Sequence, residues 1–401
     1  MKAGMEEIKN GSVTSPRGFL AGAVEAGIKY AGRLDLGVLF SEKPCAAAAV
    51  FTSNKVKAAP IIVSMKHIAG GRARAVIVNS GCANACTAEQ GLKDAGEMAA
   101  LTAAKLGIPA NQVLVASTGV IGGFMPMDRV KKGIDKMELS HDGGHRLARA
   151  IMTTDTMPKE IALKVADSTG EYIVAGTAKG AGMIHPDMAT LLSFLATDAR
   201  VEADFLRKSL KKAVDDSFNM ITVDGDTSTN DMVSIMANGA AGNAEINNSN
   251  GRTFQEALNR ACRFLACSIA RDGEGATKII EVQVEGAKSI SEARKIARTI
   301  AGSPLVKSAM HGNDPNWGRI AAAVGRSGAA MTEEKLDISL QGKAVLSRGR
   351  PAAFDKKALS RQLKTDRVQI KVNLNTGRGQ ATAWGCDLSE EYVTINSDYT
   401  S

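Results

Sequence analysis

A glycine-rich loop that runs into the pattern of a buried strand, residues 179–192, is the feature that most constrains this 401-residue chain. In this segment a small residue, Ala189, precedes a hydroxyl residue, Thr190, and the apolar run 191–196 predicts the strand. A threonine at the head of a buried strand can attack the peptide bond before it, after which its freed α-amine can serve as its own base. The pattern predicts cleavage between Ala189 and Thr190, although threonines also begin many strands that are never cut.

The composition is that of a globular protein with many tight turns. Hydrophobic residues make up 44% and charged residues 23%, glycine is frequent at 40 residues, and aromatics are scarce at 4%. The net charge of +8 comes from dispersed Lys and Arg, so we expect a solvated surface and no nucleic-acid partner. There is no secretory pattern at the start of the sequence and no apolar run of membrane-spanning length. We therefore expect a cytoplasmic protein with no membrane partner.

Neither the cysteines nor the acidic loop predicts a metal site. The six cysteines, expected to be reduced thiols, are Cys45, Cys82, Cys86, Cys262, Cys267 and Cys386. Cys82 and Cys86 lack further Cys or His nearby and are expected to be small buried residues. The loop 224–231 lacks the glycine and closing glutamate of a calcium loop, so we interpret it as an Asx-rich turn that lines the site. No metal and no cofactor are predicted.

Apolar periodicity predicts mixed strands and helices. The predicted strands are at residues 76–78, 113–115, 161–165, 172–175, 280–284, 368–374 and 381–384, and the predicted helices are at residues 94–106, 201–218 and 254–270. Strict alternation in 280–284 and 368–374 predicts antiparallel strands with one buried face, and 368–374 is expected to pair with 381–384 across a turn at Thr376 and Gly377. Since strands and helices do not alternate regularly, the pattern favours α+β layers over a doubly wound sheet.

Several polar segments fit the chemistry of a threonine that attacks a carbonyl. That chemistry needs donors for the oxyanion and groups that hold the substrate. The turn at 116–122 directly follows a strand and contains Ser-Thr-Gly, which can offer a free backbone N–H or, alternatively, only cap a helix. Residues 153–159 place three threonines around an acid, and residues 272–277 set a carboxylate between two glycines. The tail, residues 392–401, is expected to run from a strand to the chain end.

Together these segments resemble the ornithine acetyltransferase (ArgJ) family, whose members are also described as bifunctional glutamate N-acetyltransferases and amino-acid acetyltransferases. The matching motifs, in the family's order, are at residues 79–85, 117–122, 153–156, 179–190, 272–278, 314–319 and 392–401. The resemblance covers nearly the whole chain, and its motifs are specific in combination.

The resemblance implies a layered αββα sandwich of the ArgJ-like, N-terminal-nucleophile kind. It also implies an α chain of residues 1–189 and a β chain of residues 190–401, assembled as an α2β2 heterotetramer. The implied activity moves the acetyl group of N-acetylornithine to glutamate through an acetyl-threonine intermediate. Whether acetyl-CoA is a second acetyl donor stays open.

The resemblance also implies roles for individual residues. Thr190 is the cleavage residue and the nucleophile, and Thr118 and Gly119 are the oxyanion donors. The implied substrate contacts are Thr153, Lys179, Thr190, Glu274, Asn396 and Ser401. The sequence alone does not show which of Thr153 and Thr154 contacts the substrate, and Thr153 is chosen. Two positions depart from the family's usual residues: Asp187 stands in place of asparagine, and Ser401 in place of threonine.

Two alternatives remain open at this point. The first is an N-terminal-nucleophile aminopeptidase or amidase, in which water replaces glutamate as the acceptor. The second is a non-catalytic metabolite-binding protein in which Thr190 only begins a strand. The two enzymes differ in whether glutamate accelerates release of ornithine, and the binding protein would remain a single uncut chain.

Overall fold

The computed structural model describes residues 4–185 and 191–398 of the chain. It divides into two compact units. Unit 1 comprises Met1–Gly180, Asp187–Asp216 and Thr227–Leu265, and unit 2 comprises Ala181–Pro186, Ser217–Asp226 and Ala266–Ser401. The chain therefore passes from unit 1 to unit 2 three times, after Gly180, Asp216 and Leu265.

The described residues contain strands and helices in a mixed order. The strands are β1 Gly4–Glu7, β2 Phe19–Val24, β3 Leu36–Ser41, β4 Ala46–Phe51, β5 Ala75–Asn79, β6 Val113–Ser117, β7 Lys159–Asp167, β8 Gly170–Lys179, β9 Leu192–Thr197, β10 Ile221–Thr222, β11 Met232–Ala237, β12 Ile279–Ala287, β13 Asp337–Leu340, β14 Lys343–Ser347, β15 Arg350–Pro351, β16 Arg367–Asn373 and β17 Gly379–Cys386. The helices are α1 Ala59–Ile68, α2 Ala88–Leu106, α3 Met127–Lys136, α4 Gly144–Ala150, α5 Ala203–Asp215, α6 Arg252–Arg271, α7 Ile290–Ala301, α8 Pro304–His311, α9 Trp317–Gly325, α10 Lys356–Gln362 and α11 Glu390–Ser397. No described helix is long and apolar enough to cross a membrane.

Unit 1 is a four-layer αββα sandwich, as expected. Its six-stranded sheet has the order β1-β7-β8-β9-β11-β4, and its four-stranded sheet has the order β2-β3-β5-β6. Apolar side chains of the two sheets share one core, with Phe19 and Leu114 from one sheet and Phe194 and Met232 from the other. A second core joins the four-stranded sheet to α2 and α3. Helices α5 and α6 cover the six-stranded sheet, where the rings of Tyr172 and Phe254 are tilted by 46° with their centroids 6.1 Å apart. The predicted α+β class is confirmed.

The six-stranded sheet is built from both sides of the Ala189–Thr190 bond. β8 pairs antiparallel with β9, from Val174 opposite Thr197 to Lys179 opposite Leu192. β9 in turn pairs with β11, and β11 pairs with β4. The ladder of backbone hydrogen bonds between β8 and β9 therefore joins residues before the bond to residues after it, and does not depend on that bond being intact.

Several helices and strands lie close to the ranges predicted from the sequence. The run 191–196 forms β9, whose residues are all buried, and the predicted helices 201–218 and 254–270 are α5 and α6 with ends shifted by one to three residues. The helix predicted at 94–106 begins six residues earlier, at Ala88. It ends as expected, because Gly107 adopts φ 64° and its N–H bonds the last turn.

The prediction of strand pairing in unit 2 was wrong in two respects: the hairpin between residues 368–374 and 381–384 is absent, and the strands at 280–284 and 368–374 pair parallel with each other. Its seven-stranded sheet has the order β10-β17-β12-β16-β13-β14-β15, so β12 lies between β16 and β17. β12 pairs parallel with β16 and antiparallel with β17. The expected hairpin does not form, since β12 occupies the position between β16 and β17, and the N–H groups of Thr376 and Gly377 both donate to the carbonyl of Gly286 near the end of β12. Alternation of apolar residues defines a strand's buried face but not its partner.

The extended tail was also a wrong prediction for the part that the structure describes. Residues 390–397 form α11. Glu390 and Glu391 occupy its first turn, where acidic side chains stabilise the helix dipole. Ser401, at the chain end, lies outside the described residues.

Candidate functional site

The predicted cleavage site adjoins the start of β9. Ala189 and Thr190 lie outside the described residues, as does Asp187. The described chain resumes at Leu191, whose side chain is buried. Its N–H donates to Asp231 Oδ1 at 2.9 Å, and its carbonyl accepts from the N–H of Met232 at 3.1 Å. The residue after Thr190 is therefore held at both of its backbone polar groups.

Lys179 brings three of the expected residues together in unit 1. It is the last residue of β8, opposite Leu192, and only 3% of it is exposed. Its Nζ donates to Thr153 Oγ1 at 2.7 Å and to Thr118 Oγ1 at 3.3 Å. Thr153, which was chosen over Thr154, is thus the residue whose hydroxyl meets Lys179.

Asp155 holds this cluster and was not among the expected site residues. Its Oδ1 accepts hydrogen bonds from Lys159 Nζ and from the N–H of Gly180, both at 2.7 Å, and its Oδ2 lies 3.8 Å from Lys179 Nζ. Burial alone would raise the pKa of Asp155, but Lys179, Lys159 and the Gly180 N–H outweigh it and hold the pKa at about 2. Asp155 is therefore a fixed negative charge between two buried ammonium groups.

The turn after β6 requires a glycine at position 119. Gly119 has φ 133°, and an added Cβ would lie 2.3 Å from the carbonyl carbon of Gly81, so only glycine fits there. The Thr118 N–H donates to the carbonyl of Asn79. The group that Thr118 can offer to a ligand is therefore its hydroxyl. The Gly119 N–H donates no hydrogen bond of ordinary geometry to a described residue. Helix α3 begins only at Met127 and has no side-chain cap, so the alternative of a capping hydroxyl was wrong.

Glu274 and Asn396 form a second cluster, in unit 2. Glu274 is 7% exposed, and its Oε2 accepts from Asn396 Nδ2 at 2.8 Å. An added Cβ on Gly182 would lie 2.4 Å from the same oxygen, which explains a glycine at that position. Among the described residues, no Lys, Arg or His lies within ion-pair distance of Glu274. Its buried carboxylate therefore has an amide partner but no described counter-ion.

The loop 224–231 contains the Asx turn that was expected, because the Asp226 N–H donates to Asp224 Oδ1 at 3.2 Å. In unit 2 Asp224 also accepts from the N–H groups of Met183 and Ile184, shortly before the predicted cleavage site. Burial raises the pKa of Asp224 despite these amide donors. That this loop lines a substrate site stays a prediction.

Asp231, at the other end of that loop, was also missed by the sequence analysis. It belongs to unit 1, is 1% exposed, and accepts from Leu191 through Oδ1. Its Oδ2 is buried and has no hydrogen-bond partner among the described residues. Burial raises the pKa of Asp231 well above its ordinary value, although the Leu191 N–H, the side chains of Thr52 and Ser228 and the charge of Lys179 act in the opposite direction.

None of the six cysteines forms a disulfide bond. Cys82 is buried as expected, whereas Cys86 is exposed, so the prediction of a buried side chain was wrong there. Cys86 has φ 58°, which belongs to a turn and not to the packed interior of a strand or helix. Within residues 4–185 and 191–398, no group of His, Cys, Asp and Glu is arranged to hold a metal ion.

Comparison with known proteins identifies close relatives. The model of the ArgJ family matches residues 20–401. The arginine biosynthesis bifunctional protein ArgJ of Dehalococcoides mccartyi is 53% identical over 405 residues, covering 100% of both chains. The protein of the same name from Symbiobacterium thermophilum is 51% identical and covers 97% of this chain and 98% of its own. The crystal structure of ArgJ from Bacillus halodurans is 46% identical with a TM-score of 0.50, over 51% of this chain and 98% of the solved chain.

Proposed function

The chain belongs to the ArgJ family, and from this premise we propose that it transfers the acetyl group of N-acetylornithine to glutamate in arginine biosynthesis. The observation that carries the proposal is the buried Lys179 cluster: Lys179 lies at the end of β8, directly opposite Leu192 on the neighbouring strand β9, which begins just after Thr190. The names of the relatives describe bifunctional proteins of arginine biosynthesis. Use of acetyl-CoA as a second donor remains a prediction.

The precursor first cuts itself. Thr190 Oγ attacks the carbonyl of Ala189, the amide nitrogen leaves as the α-amine of Thr190, and water hydrolyses the resulting ester. The products are residues 1–189 and residues 190–401. Two observations support this step: the pairing of β8 with β9 joins residues on either side of the predicted cut, and the solved Bacillus halodurans chain corresponds to about half of this one, since 51% of this chain covers 98% of it.

The freed α-amine then acts as general base for acetyl transfer. Its reference pKa of about 7.7–8.0 allows a substantial neutral fraction near pH 7. It removes the proton from Thr190 Oγ as this oxygen attacks the acetyl carbonyl, and the proton passes to the departing ornithine nitrogen. The glutamate amine next attacks the acetyl-threonine ester, which restores the hydroxyl. Two half-reactions that share a covalent intermediate give ping-pong kinetics.

Thr118 and Gly119 stabilise the negative oxygen formed in each half-reaction. Lys179 donates to Thr118 Oγ1, so the proton of that hydroxyl remains available to donate to the oxyanion. The Gly119 N–H supplies the second donor. Asp155 acts indirectly, because it holds Lys179 and the backbone of Gly180 in place. Removal of one donor of this kind lowers kcat by about 10²–10³-fold in enzymes that use an oxyanion hole.

Glu274 and Asn396 recognise the positively charged end of ornithine. A buried carboxylate without a cationic partner is unfavourable until a cation pairs with it. An ammonium group supplies that charge, and Asn396 keeps the carboxylate oriented through its amide. Ser401 remains a proposed substrate contact at the chain end. We also propose that the two chains assemble as an α2β2 heterotetramer in the cytoplasm.

The test is the dependence of ornithine release on glutamate. With N-acetylornithine alone, the enzyme should release one equivalent of ornithine in a burst, and it should also exchange labelled ornithine into N-acetylornithine. Addition of glutamate should restore turnover and give N-acetylglutamate. Continuous ornithine release at a rate that glutamate does not change would instead indicate an amidase, and absence of both burst and exchange would indicate a binding protein.

A further inference from the structure

We propose that Asp387 is a positioning residue for substrate recognition: it ties the loop that carries Glu274 to the segment that leads into α11, which carries Asn396. The inference rests on the proposed function, in which Glu274 pairs with the ammonium group of ornithine. It deepens that function by naming the group that fixes the carboxylate and its amide partner relative to each other. These three residues belong to unit 2.

The carboxylate of Asp387 is buried and hydrogen-bonded through both oxygens. It directly follows β17, and its side chain is 0% exposed. Its Oδ1 accepts from the N–H groups of Thr277 and Lys278, both at 2.8 Å. Its Oδ2 accepts from the Thr277 hydroxyl at 2.6 Å and lies 2.7 Å from His311 Nδ1. Burial alone would raise the pKa of Asp387, but the Thr277 hydroxyl, His311 and the two N–H groups outweigh it and lower the pKa. Asp387 is therefore a fixed anion whose donors come from two other segments of unit 2.

The first of these segments is the loop that carries Glu274. Thr277 follows Glu274 closely in the sequence, and the loop between them is folded into a turn, since the Ala276 N–H donates to the carbonyl of Gly273 at 2.8 Å. A hydrogen-bonded turn fixes the dihedral angles of its central residues. The bonds from Asp387 to Thr277 therefore also constrain the backbone from which the Glu274 side chain projects.

The chain that follows Asp387 carries the amide partner of Glu274. Ser389, which precedes α11, donates its hydroxyl to the carbonyl of Gly275 at 2.6 Å. Asn396, near the end of α11, donates to Glu274 Oε2 at 2.8 Å. The loop and the start of α11 are thus joined through Asp387 and Ser389, and the two side chains of the Glu274 cluster meet beyond these joints. A carboxylate that is held in its binding orientation loses less entropy when it pairs with a ligand.

His311 supports the same junction from α8. It is the last residue of that helix, and its side chain is 31% exposed. Because an ionised carboxylate only accepts hydrogen bonds, Nδ1 carries the hydrogen that faces Asp387. Its Nε2 lies 3.6 Å from Oε2 of Glu390, in the first turn of α11. The imidazole therefore contacts both the anion and the helix that the anion positions.

Asp167 provides a matched comparison in unit 1. It is 4% exposed, its Oδ1 accepts from the N–H and the hydroxyl of Thr169 at 2.7 and 2.6 Å, and its Oδ2 accepts from the Tyr172 hydroxyl at 2.9 Å. Like Asp387, it binds both the N–H and the hydroxyl of one threonine. Its partners lie in the hairpin of β7 and β8, at the opposite end of β8 from Lys179. Replacement of Asp167 therefore removes the same kind of bonds without altering the Glu274 cluster.

The experiment measures ligand binding to the full-chain protein by isothermal titration calorimetry. The ligands are ornithine and the amino acid of the same length without the side-chain ammonium group. In Asp387→Asn the amide oxygen can still accept from the N–H groups of Thr277 and Lys278, but the NH2 group cannot accept from the Thr277 hydroxyl or from His311. We expect the Kd of ornithine to rise about fivefold or more and the Kd of the uncharged ligand to change less than about twofold. The kcat for N-acetylornithine should change less than about twofold, because the loss affects binding.

A second variant, Thr277→Val, removes one hydroxyl and keeps the shape of the side chain. It tests the same junction if Asp387→Asn does not fold, and it should raise the Kd of ornithine about two- to fivefold without changing that of the uncharged ligand. The matched controls are Asp167→Asn and Thr169→Val. Both should lower thermal stability without changing either Kd.

The inference is overturned if the folded variants at Asp387 and Thr277 bind ornithine as wild type does, or if they lose affinity for both ligands equally. It is also overturned if the control variants show the same selective loss, or if the wild-type protein binds ornithine no better than the uncharged ligand. A wild-type protein that binds ornithine selectively but transfers no acetyl group from N-acetylornithine to glutamate would contradict the proposed function and not the role of Asp387.

Discussion

Lys179 and Glu274 are both buried charged side chains, but their surroundings differ in kind. Lys179, in unit 1, lies 3.8 Å from the carboxylate of Asp155, which is also bonded to Lys159. Glu274, in unit 2, is hydrogen-bonded to the amide of Asn396 and has no cation within ion-pair distance among the described residues. One cluster therefore contains both signs of charge, whereas the other contains a single negative charge.

This difference in charge suggests different roles for the two clusters. A buried ion pair with several hydrogen bonds is a fixed structure whose members depend on one another. A buried carboxylate without a counter-ion is destabilising until a ligand supplies the positive charge. If the proposed function holds, we expect the Lys179 cluster to act on the acetyl group and the Glu274 cluster to bind a cationic substrate.

The largest expected effect on stability comes from removing the carboxylate of Asp155 from the Lys179 cluster. Asp155→Asn leaves Lys159 and Lys179 without their shared carboxylate, and removal of one partner from a buried ion pair destabilises proteins by about 3–5 kcal/mol. We expect a loss of this order in the free energy of unfolding, measured by urea denaturation of the cleaved protein. The control is Asp366→Asn, which removes an exposed pair with Arg271 and should change stability by less than about 1 kcal/mol. Equal stability of both variants would mean that the Asp155 cluster is not the fixed structure described.

The next effect is the pH dependence that Asp155 contributes in the wild-type protein. Its pKa in the folded protein, about 2, is lower than the ordinary 3.8, so its contribution is full above pH 3.8 and is lost as the pH falls through 2. The shift corresponds to about 2 kcal/mol, of which about half is lost by pH 3. The difference in unfolding free energy between wild type and Asp155→Asn should therefore narrow from pH 6 to pH 3. A difference that stays constant over this range would contradict the low pKa.

The smallest effect on stability is expected for a substitution in the Glu274 cluster. Glu274→Gln removes a buried charge that has no described counter-ion, so the free energy of unfolding should stay within about 0.5 kcal/mol of wild type or rise. The KM for N-acetylornithine should increase at least tenfold, about 1.4 kcal/mol of binding, because the ammonium group loses its ion pair. The control substrate is the N-acetyl amino acid of the same length without the ammonium group, for which variant and wild type should have similar KM values. An equal increase of KM for both substrates would show that Glu274 does not recognise charge.

The sequence predicts the elements of this fold better than their arrangement. Apolar periodicity identifies β9, α5 and α6 because local burial repeats with the period of the element. It does not reveal that β12 separates β16 from β17, since pairing depends on which strand ends reach one another. The tail residues alternate like a strand but form α11.

For the candidate site, too, the sequence predicts individual residues better than the contacts between them. Resemblance to the family named Thr118, Thr153 and Lys179, and the structure brings them together within unit 1. Asp155 and Asp231 lie in the segments 153–159 and 224–231 that the sequence singled out, but no individual role was predicted for either aspartate. Their roles depend on contacts between segments that are far apart in sequence, such as the hydrogen bond between Asp155 and Gly180, which are 25 residues apart. The sequence pattern does not reveal such contacts.

Self-cleavage at Thr190 is the central claim, and the intact mass of the purified protein under denaturing conditions tests it most directly. The wild-type chain should appear as two polypeptides, and N-terminal sequencing of the second should begin Thr190-Leu191-Leu192. The variant Thr190→Ala should remain a single chain of 401 residues. A wild-type protein that stays uncut, or a Thr190→Ala variant cut at the same bond, would contradict the account.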